Sequence, residues 1–157
     1  MLRSVVKHNP KKPHKSPLKI NKCSPITDFS YEGKIWIKKL ISDMKDTCTS
    51  MKGVGLAANQ IGVYRQLILI AEPKKPHIIM INPRVIDSYG DIIEEKEGCL
   101  SVPGVYGIVK RHQYVVVEFK DINGDDKTSI CCGYEARIVS HEIGHLNNEL
   151  CIERFEK

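Results

Sequence analysis

His141-Glu142-Ile143-Gly144-His145, in a chain of 157 residues, has the spacing of a metal-binding helix. On a helix, residues four apart share one face, so both imidazoles can reach a single metal ion. Glu142 stands beside them, placed to move protons at a water held there. The chemistry needs this spacing: two neutral nitrogens hold the ion, and a carboxylate that does not bind it works first as base and then as acid. A surface helix with unremarkable His and Glu would share the pattern, so a third ligand has to be sought.

A thermolysin-like plan wants a glutamate on a later helix, but only twelve residues follow His145. A metzincin plan wants Gly and then His downstream, where this chain has Asn148 and Cys151. A thiolate is a competent zinc or iron ligand, so Cys151 remains a candidate. Its neighbours Leu150 and Ile152 point instead to a short strand or tail packed on the core. Upstream candidates are Cys99, Cys23, Cys48, Cys131, Cys132 and His112.

Cys99 lies in Glu97-Gly98-Cys99-Leu100-Ser101-Val102-Pro103, where Gly98 allows close backbone approach and Pro103 ends the segment. A second stretch, Gly53-Val54-Gly55-Leu56-Ala57-Ala58-Asn59-Gln60-Ile61-Gly62, is built of small residues. Its early glycines permit positive φ and near contact with a ligand, and Gln60 offers an amide donor.

Together and in this order, the three stretches resemble the peptide deformylase family. Gly53 to Gln60 matches the family's G-x-G-L-A-A-x-Q, and Glu97 to Ser101 matches E-G-C-L-S. Q-H-E-x-D-H-L matches at His141, Glu142, His145 and Leu146, and departs at Ser140 and Gly144, where Gln and Asp are usual. The resemblance covers about residues 50–152; the first fifty match only loosely.

The resemblance implies that Cys99, His141 and His145 are the metal ligands and that Glu142 is the general base. It implies that Gln60 and the Leu100 N–H stabilise the oxyanion. The substrate would be the formylated N-terminus of a newly made polypeptide. One divalent ion would be bound, ferrous iron in the cell, with zinc or nickel as replacements. The peptide would lie along the motif loops like an added strand, touching Gly53, Val54, Gly55 and Leu100. Its Met side chain would enter a pocket walled by Val54, Leu100, Ile138 and His141, with Tyr106 at the rim. Gly144 should cost the helix about 1 kcal/mol relative to Ala and removes an acid that could have steadied Arg111. Ser140 removes an amide that could have influenced metal affinity. Two rival readings are a metal-binding module that has lost turnover, and a zinc endopeptidase using Cys151.

The chain suits one domain spanning 1–157. Six cysteines in this length do not make a disulfide scaffold, and a thiolate ligand needs reducing surroundings, so the cytoplasm is expected. No signal peptide and no membrane association are expected. The net charge of +5 is uneven: residues 1–22 carry seven Lys or Arg and no acid, leaving seventeen basic against nineteen acidic residues elsewhere. That basic arm is read as a solvated terminus, with a ribosome contact as the alternative and no specific nucleic-acid recognition.

Ile37, Leu40, Ile41, Met44, Cys48 and Met51 recur at helical spacing and predict a helix over 33–50 ended by Gly53. Residues 66–71 and 77–81 predict strands, the second closed by Asn82-Pro83. Further strands are predicted over 105–110, 114–120 and 127–132, with a hairpin at Asn123-Gly124. The last helix is predicted from about Gly133 to Asn147. The sum is an α+β fold, a mixed or antiparallel β-sheet cradling a C-terminal metal-binding helix.

Overall fold

The computed structural model describes residues 1–9, 11 and 16–156, so Lys12 and Lys15 of the basic segment lie outside the described residues. A short helix α1 (Pro17–Ile20) precedes the long α2 (Tyr31–Ser50). Ser30 caps α2 by accepting the Gly33 N–H at 3.2 Å. Ile37, Leu40, Ile41, Met44 and Cys48 are buried along its one face, as their spacing predicts.

The end of α2 differs from expectation. The left-handed residue is Lys52 (φ 54), not Gly53. Lys52 N–H bonds Thr49 O at 3.0 Å and Gly53 N–H bonds Cys48 O at 2.9 Å, a Schellman closure with lysine where glycine is usual. A non-glycine residue there costs roughly 1–2 kcal/mol.

Five strands follow: β1 (Gly55–Ala57), β2 (Leu67–Ile70), β3 (Ile78–Cys99), β4 (Val102–Lys120) and β5 (Asp126–Cys132). They form one sheet in chain order, every ladder antiparallel. Alternate side chains of β2 divide two cores. Leu67 and Leu69 pack with the buried face of α2, while Ile68 and Ile70 join the core of the last helix, α3 (Tyr134–Leu146).

β3 does not close at Asn82-Pro83 but continues through it. Asn82 takes φ 51, and its side-chain amide bonds both the N–H and the C=O of Ile26 at 2.8 Å. A register shift between Ile81 and Arg84 absorbs the proline, whose missing N–H then needs no ladder partner. The two strands predicted over 105–120 are likewise one. Arg111 and His112 pair with Ile93 and Ile92, a register shift between Tyr89 and Ile92 joins the two halves, and Pro103 is the second residue of β4 rather than the end of a segment. The Asn123-Gly124 turn does join β4 to β5, with Gly124 at φ 90.

α3 ends in a second Schellman closure at Asn148 (φ 63), whose amide bonds the carbonyls of Leu18 and Asn21 at 2.6 and 2.9 Å. The expected strand or tail at Cys151 is a 3-10 turn, Cys151–Arg154, with Cys151 buried. The first nine residues are not a solvated arm. Val6 N–H bonds Gln60 O at 2.7 Å, His8 N–H bonds Ser101 O at 2.8 Å, and Val5 and His8 are buried. Arg3 pairs with Asp43 at 2.7 Å and Lys19 with Glu153 at 2.6 Å, so part of the positive charge is neutralised on the protein itself. No helix among the described residues is long and apolar enough to cross a membrane.

Candidate metal centre and active site

α3 carries Arg137, His141 and His145 at successive four-residue intervals, which aligns them on one face toward the end of β3. Sγ of Cys99 lies 3.2 Å from His145 Nε2, and the two Nε2 atoms are 3.2 Å apart. These three ligand atoms all lie within 4.8 Å of one another and are the one such group among the described residues. Cys151 is not in it, so the metzincin-like set is not assembled. Cys23, Cys48 and Cys131 are buried in the cores and Cys132 is exposed. His112 lines a groove on the outer side of α3.

The donor set fits a divalent transition ion: a soft thiolate and two imidazoles. The electrostatics favour the required thiolate. The neighbouring Cys151 thiol, with His145 and His141, holds the Cys99 thiol well below its usual range, against the opposing effect of burial. Cys151 is correspondingly held protonated by the Cys99 thiolate and by burial.

Glu97 organises one side. It takes Arg111 through two bonds, Nε at 2.6 Å and a terminal nitrogen at 2.9 Å, and Arg137 at 2.6 Å. Its Oε2 meets His141 Nδ1 at 3.0 Å, which leaves Nε2 of that ring toward His145 and Cys99. Burial disfavours the Glu97 carboxylate, but Arg111 and His141 overcome this and hold its pKa well below the usual range. Burial also disfavours a charged His141, yet its bonds to Cys99 and Glu97 push it up to about 10. Arg111 is steadied by Glu97, so it does not need the acid that Gly144 replaces. Asn59 donates its amide to His145 O at 2.6 Å, tying the first motif to α3.

Glu142 is buried, and its Oε2 has no hydrogen-bond partner. Burial pushes its carboxyl up from the usual range, while His141 and His145 oppose this. An orphaned, reluctant carboxylate one residue from a ligand is suited to exchanging a proton. Gly55 exists to make room for it: a Cβ there would stand 2.6 Å from Glu142 Oε1 and 2.7 Å from Ile138 Cγ2. Gly53 is similar, with a Cβ falling 2.9 Å from Leu100. Neither glycine has positive φ, so close approach and not backbone freedom is their use.

Gln60 has one orientation. Its Oε1 accepts the Ala57 N–H at 2.9 Å, which turns Nε2 toward Ser101 Oγ (3.1 Å) and Cys99 Sγ (3.5 Å). The resulting cavity, about 370 Å³, is lined by Gly53, Val54, Gly55, Gln60, Cys99, Leu100, Tyr106, Ile138, His141 and Glu142. It thus brings together every expected site residue except His145, whose Nε2 lies 3.2 Å from Cys99 Sγ and from His141 Nε2.

Sequence reasoning missed the linking roles of Glu97, Arg137, Asn59 and Ser101, and the presence of Lys52, Lys96 and Tyr134 in the cavity wall. The i−4 position of Arg137 before His141 was the available signal. Ser140 does not reach the site: its Oγ bonds Ala136 O at 2.7 Å within α3.

A five-stranded antiparallel sheet, an H-E-x-x-H helix and a cysteine at the end of β3 closing on the same point define a metallohydrolase-like architecture. The sequence profile of the polypeptide deformylase family matches residues 12–157, and the chain belongs to that family. It is 40% identical over 124 residues to a peptide deformylase of Microchaete diplosiphon, covering 76% of this chain and 66% of that protein. The chain thus spans just under two thirds of that relative's length. Its fold matches the crystal structure of class I type b peptide deformylase from Acinetobacter baumannii, with a TM-score of 0.87, 29% identity and 99% of both chains covered. Peptide deformylase from Thermotoga maritima matches with the same TM-score at 26% identity, over 100% of this chain and 99% of that one.

Proposed function

We propose that this protein is a peptide deformylase, hydrolysing the N-terminal formyl group of newly made polypeptides to formate and a free methionine amine. The observation that carries the reading is the meeting of Cys99, His141 and His145 at one point, with Glu142 and Gln60 at the same cavity.

Cys99, His141 and His145 would hold one divalent ion, ferrous in the cell and replaceable by nickel or zinc. Such an ion supplies Lewis acidity and makes a nearby water a nucleophile at neutral pH. Glu142 takes the proton of the attacking water and returns it to the departing methionine amine. Burial raises the pKa of its carboxyl above the usual range, which favours return of the proton. Gln60 Nε2, fixed by Ala57, and the Leu100 backbone N–H stabilise the oxyanion that forms on the formyl oxygen. Gly53, Val54, Gly55 and Leu100 line the path of the peptide, Ile138 borders the methionine pocket, and Tyr106 stands at the rim.

The six free cysteines fit a reducing cytoplasmic setting, and a contact with the ribosome would bring the enzyme to its substrate. The test is release of the free methionine amine from formyl-Met-Ala-Ser beside acetyl-Met-Ala-Ser, with protein loaded anaerobically with Fe²⁺. Hydrolysis of the formyl peptide alone is expected. Equal cleavage of the acetyl peptide, whose methyl the slot should exclude, would overturn the assignment.

A further inference from the structure

Six Lys, Arg, Glu or His side chains stand in the cavity wall: Lys52, Lys96, Glu97, Arg137, His141 and Glu142. Four are accounted for. Glu97 is closed by Arg111, Arg137 and His141, Arg137 is shared with Glu95, and Glu142 is buried. Lys52 and Lys96 are exposed, and neither has an ion-pair partner among the described residues. They come from different elements, Lys52 just before the first motif and Lys96 three residues before Cys99. The mouth of the cavity is therefore positive.

The two lysines are set differently. The Lys96 ammonium sits 5.3 Å from the centre of the Tyr106 ring, at the rim. Lys52 occupies a left-handed position (φ 54) that glycine or asparagine would fill with less strain. Lysine at such a site keeps a charge where backbone geometry would favour its loss.

We propose that Lys52 and Lys96 are specificity residues that select formylated peptides with acidic side chains in the first few positions after methionine. The proposal rests on the deformylase reading. The methionine enters the cavity and the rest of the peptide leaves across the mouth, so its next side chains pass the two ammonium groups. The attraction is between exposed groups, so it should weaken with salt and act through encounter and KM rather than through the chemical step.

The test uses metal-loaded protein and three C-terminally amidated peptides: formyl-Met-Ala-Glu-Glu, formyl-Met-Ala-Ser-Ser and formyl-Met-Ala-Lys-Lys. At low salt, kcat/KM for the Glu peptide should exceed that for the Lys peptide about tenfold or more, mostly through KM, and the gap should narrow at high salt. Lys52→Asn should retain or raise the melting temperature, because asparagine tolerates the left-handed turn, yet should reduce the Glu/Lys ratio several-fold. Lys96→Gln should reduce it similarly, and the double variant Lys52→Glu, Lys96→Glu should invert it. Lys38→Glu, the same charge change on the exposed face of α2, should leave the ratio as in wild type. Turnover of all three peptides at equal kcat/KM would overturn the proposal and leave the deformylase reading intact. No turnover of any would overturn that reading. Calorimetric titration with Met-Ala-Glu-Glu and Met-Ala-Lys-Lys amides would then decide the charge preference separately, equal affinity overturning it.

Discussion

Glu97 Oε2 stands 3.0 Å from Nδ1 of His141, and the same carboxylate closes on Arg111 and Arg137. One buried acid thus orients the His141 ring and balances two buried guanidinium groups.

Glu97→Gln should accordingly be costly in two ways. It leaves two buried cations without their anion, a loss of about 3–5 kcal/mol, and it frees the His141 ring, weakening metal retention about 10–100-fold. The folded pKa of Glu97 is depressed. Its contribution is therefore present above the usual carboxylate range and is lost as pH falls below it. The stability gap between wild type and Glu97→Gln, read from urea melts, should be full at pH 7 and close in acid. A gap that widened on acidification would contradict the assignment.

Cys99→Ser should abolish bound metal, whereas Cys151→Ser should keep a stoichiometric ion, measured by elemental analysis of dialysed protein. Cys151 is buried beside Cys99 but lies outside the converging group. The reverse pattern would restore the third-ligand role to Cys151.

Gly55→Ala places a methyl against Glu142 and Ile138. Overpacking of this kind costs about 1–3 kcal/mol, and the base is displaced with it. The variant should melt several degrees lower, keep its metal and lose at least about tenfold in kcat. Wild-type kcat in Gly55→Ala would show that this approach is not what the glycine provides.

The meeting of Cys99, His141 and His145, the place of Glu142 beside them, and the buried faces of α2 and α3 were legible in the sequence because each is written locally, as a motif or a helical period. The sheet was less so. Asn82-Pro83 and the polar run Lys110–Gln113 look like strand breaks, yet a bulge and a pair of Asn82 side-chain bonds carry β3 through the first. In the second, Arg111 turns inward to Glu97, a partner fourteen residues away. The seating of Val5 and His8 against the motif loops depends on tertiary contacts too short in sequence to leave a period. The reach of Asn59 to His145 spans 86 residues, and no local pattern could announce it.

Metal identity should show in rate. The Cys99 thiolate donates charge and dulls zinc as a Lewis acid, so protein loaded with Fe²⁺ or Ni²⁺ should outpace protein loaded with Zn²⁺ on formyl-Met-Ala-Ser. The iron form should lose activity in air and the nickel form should persist. Equal rates for all three ions would remove the thiolate from this argument.

Glu142→Gln tests the account most directly. The amide keeps the shape of the side chain but can neither take the water's proton nor return it to the amine. Metal content and formate release from formyl-Met-Ala-Ser should be measured on the same preparations of wild type and variant. The account predicts one ion per chain in both and a fall in kcat of about 10²-fold or more in the variant. A variant with a full metal complement and more than about a tenth of wild-type kcat would contradict it.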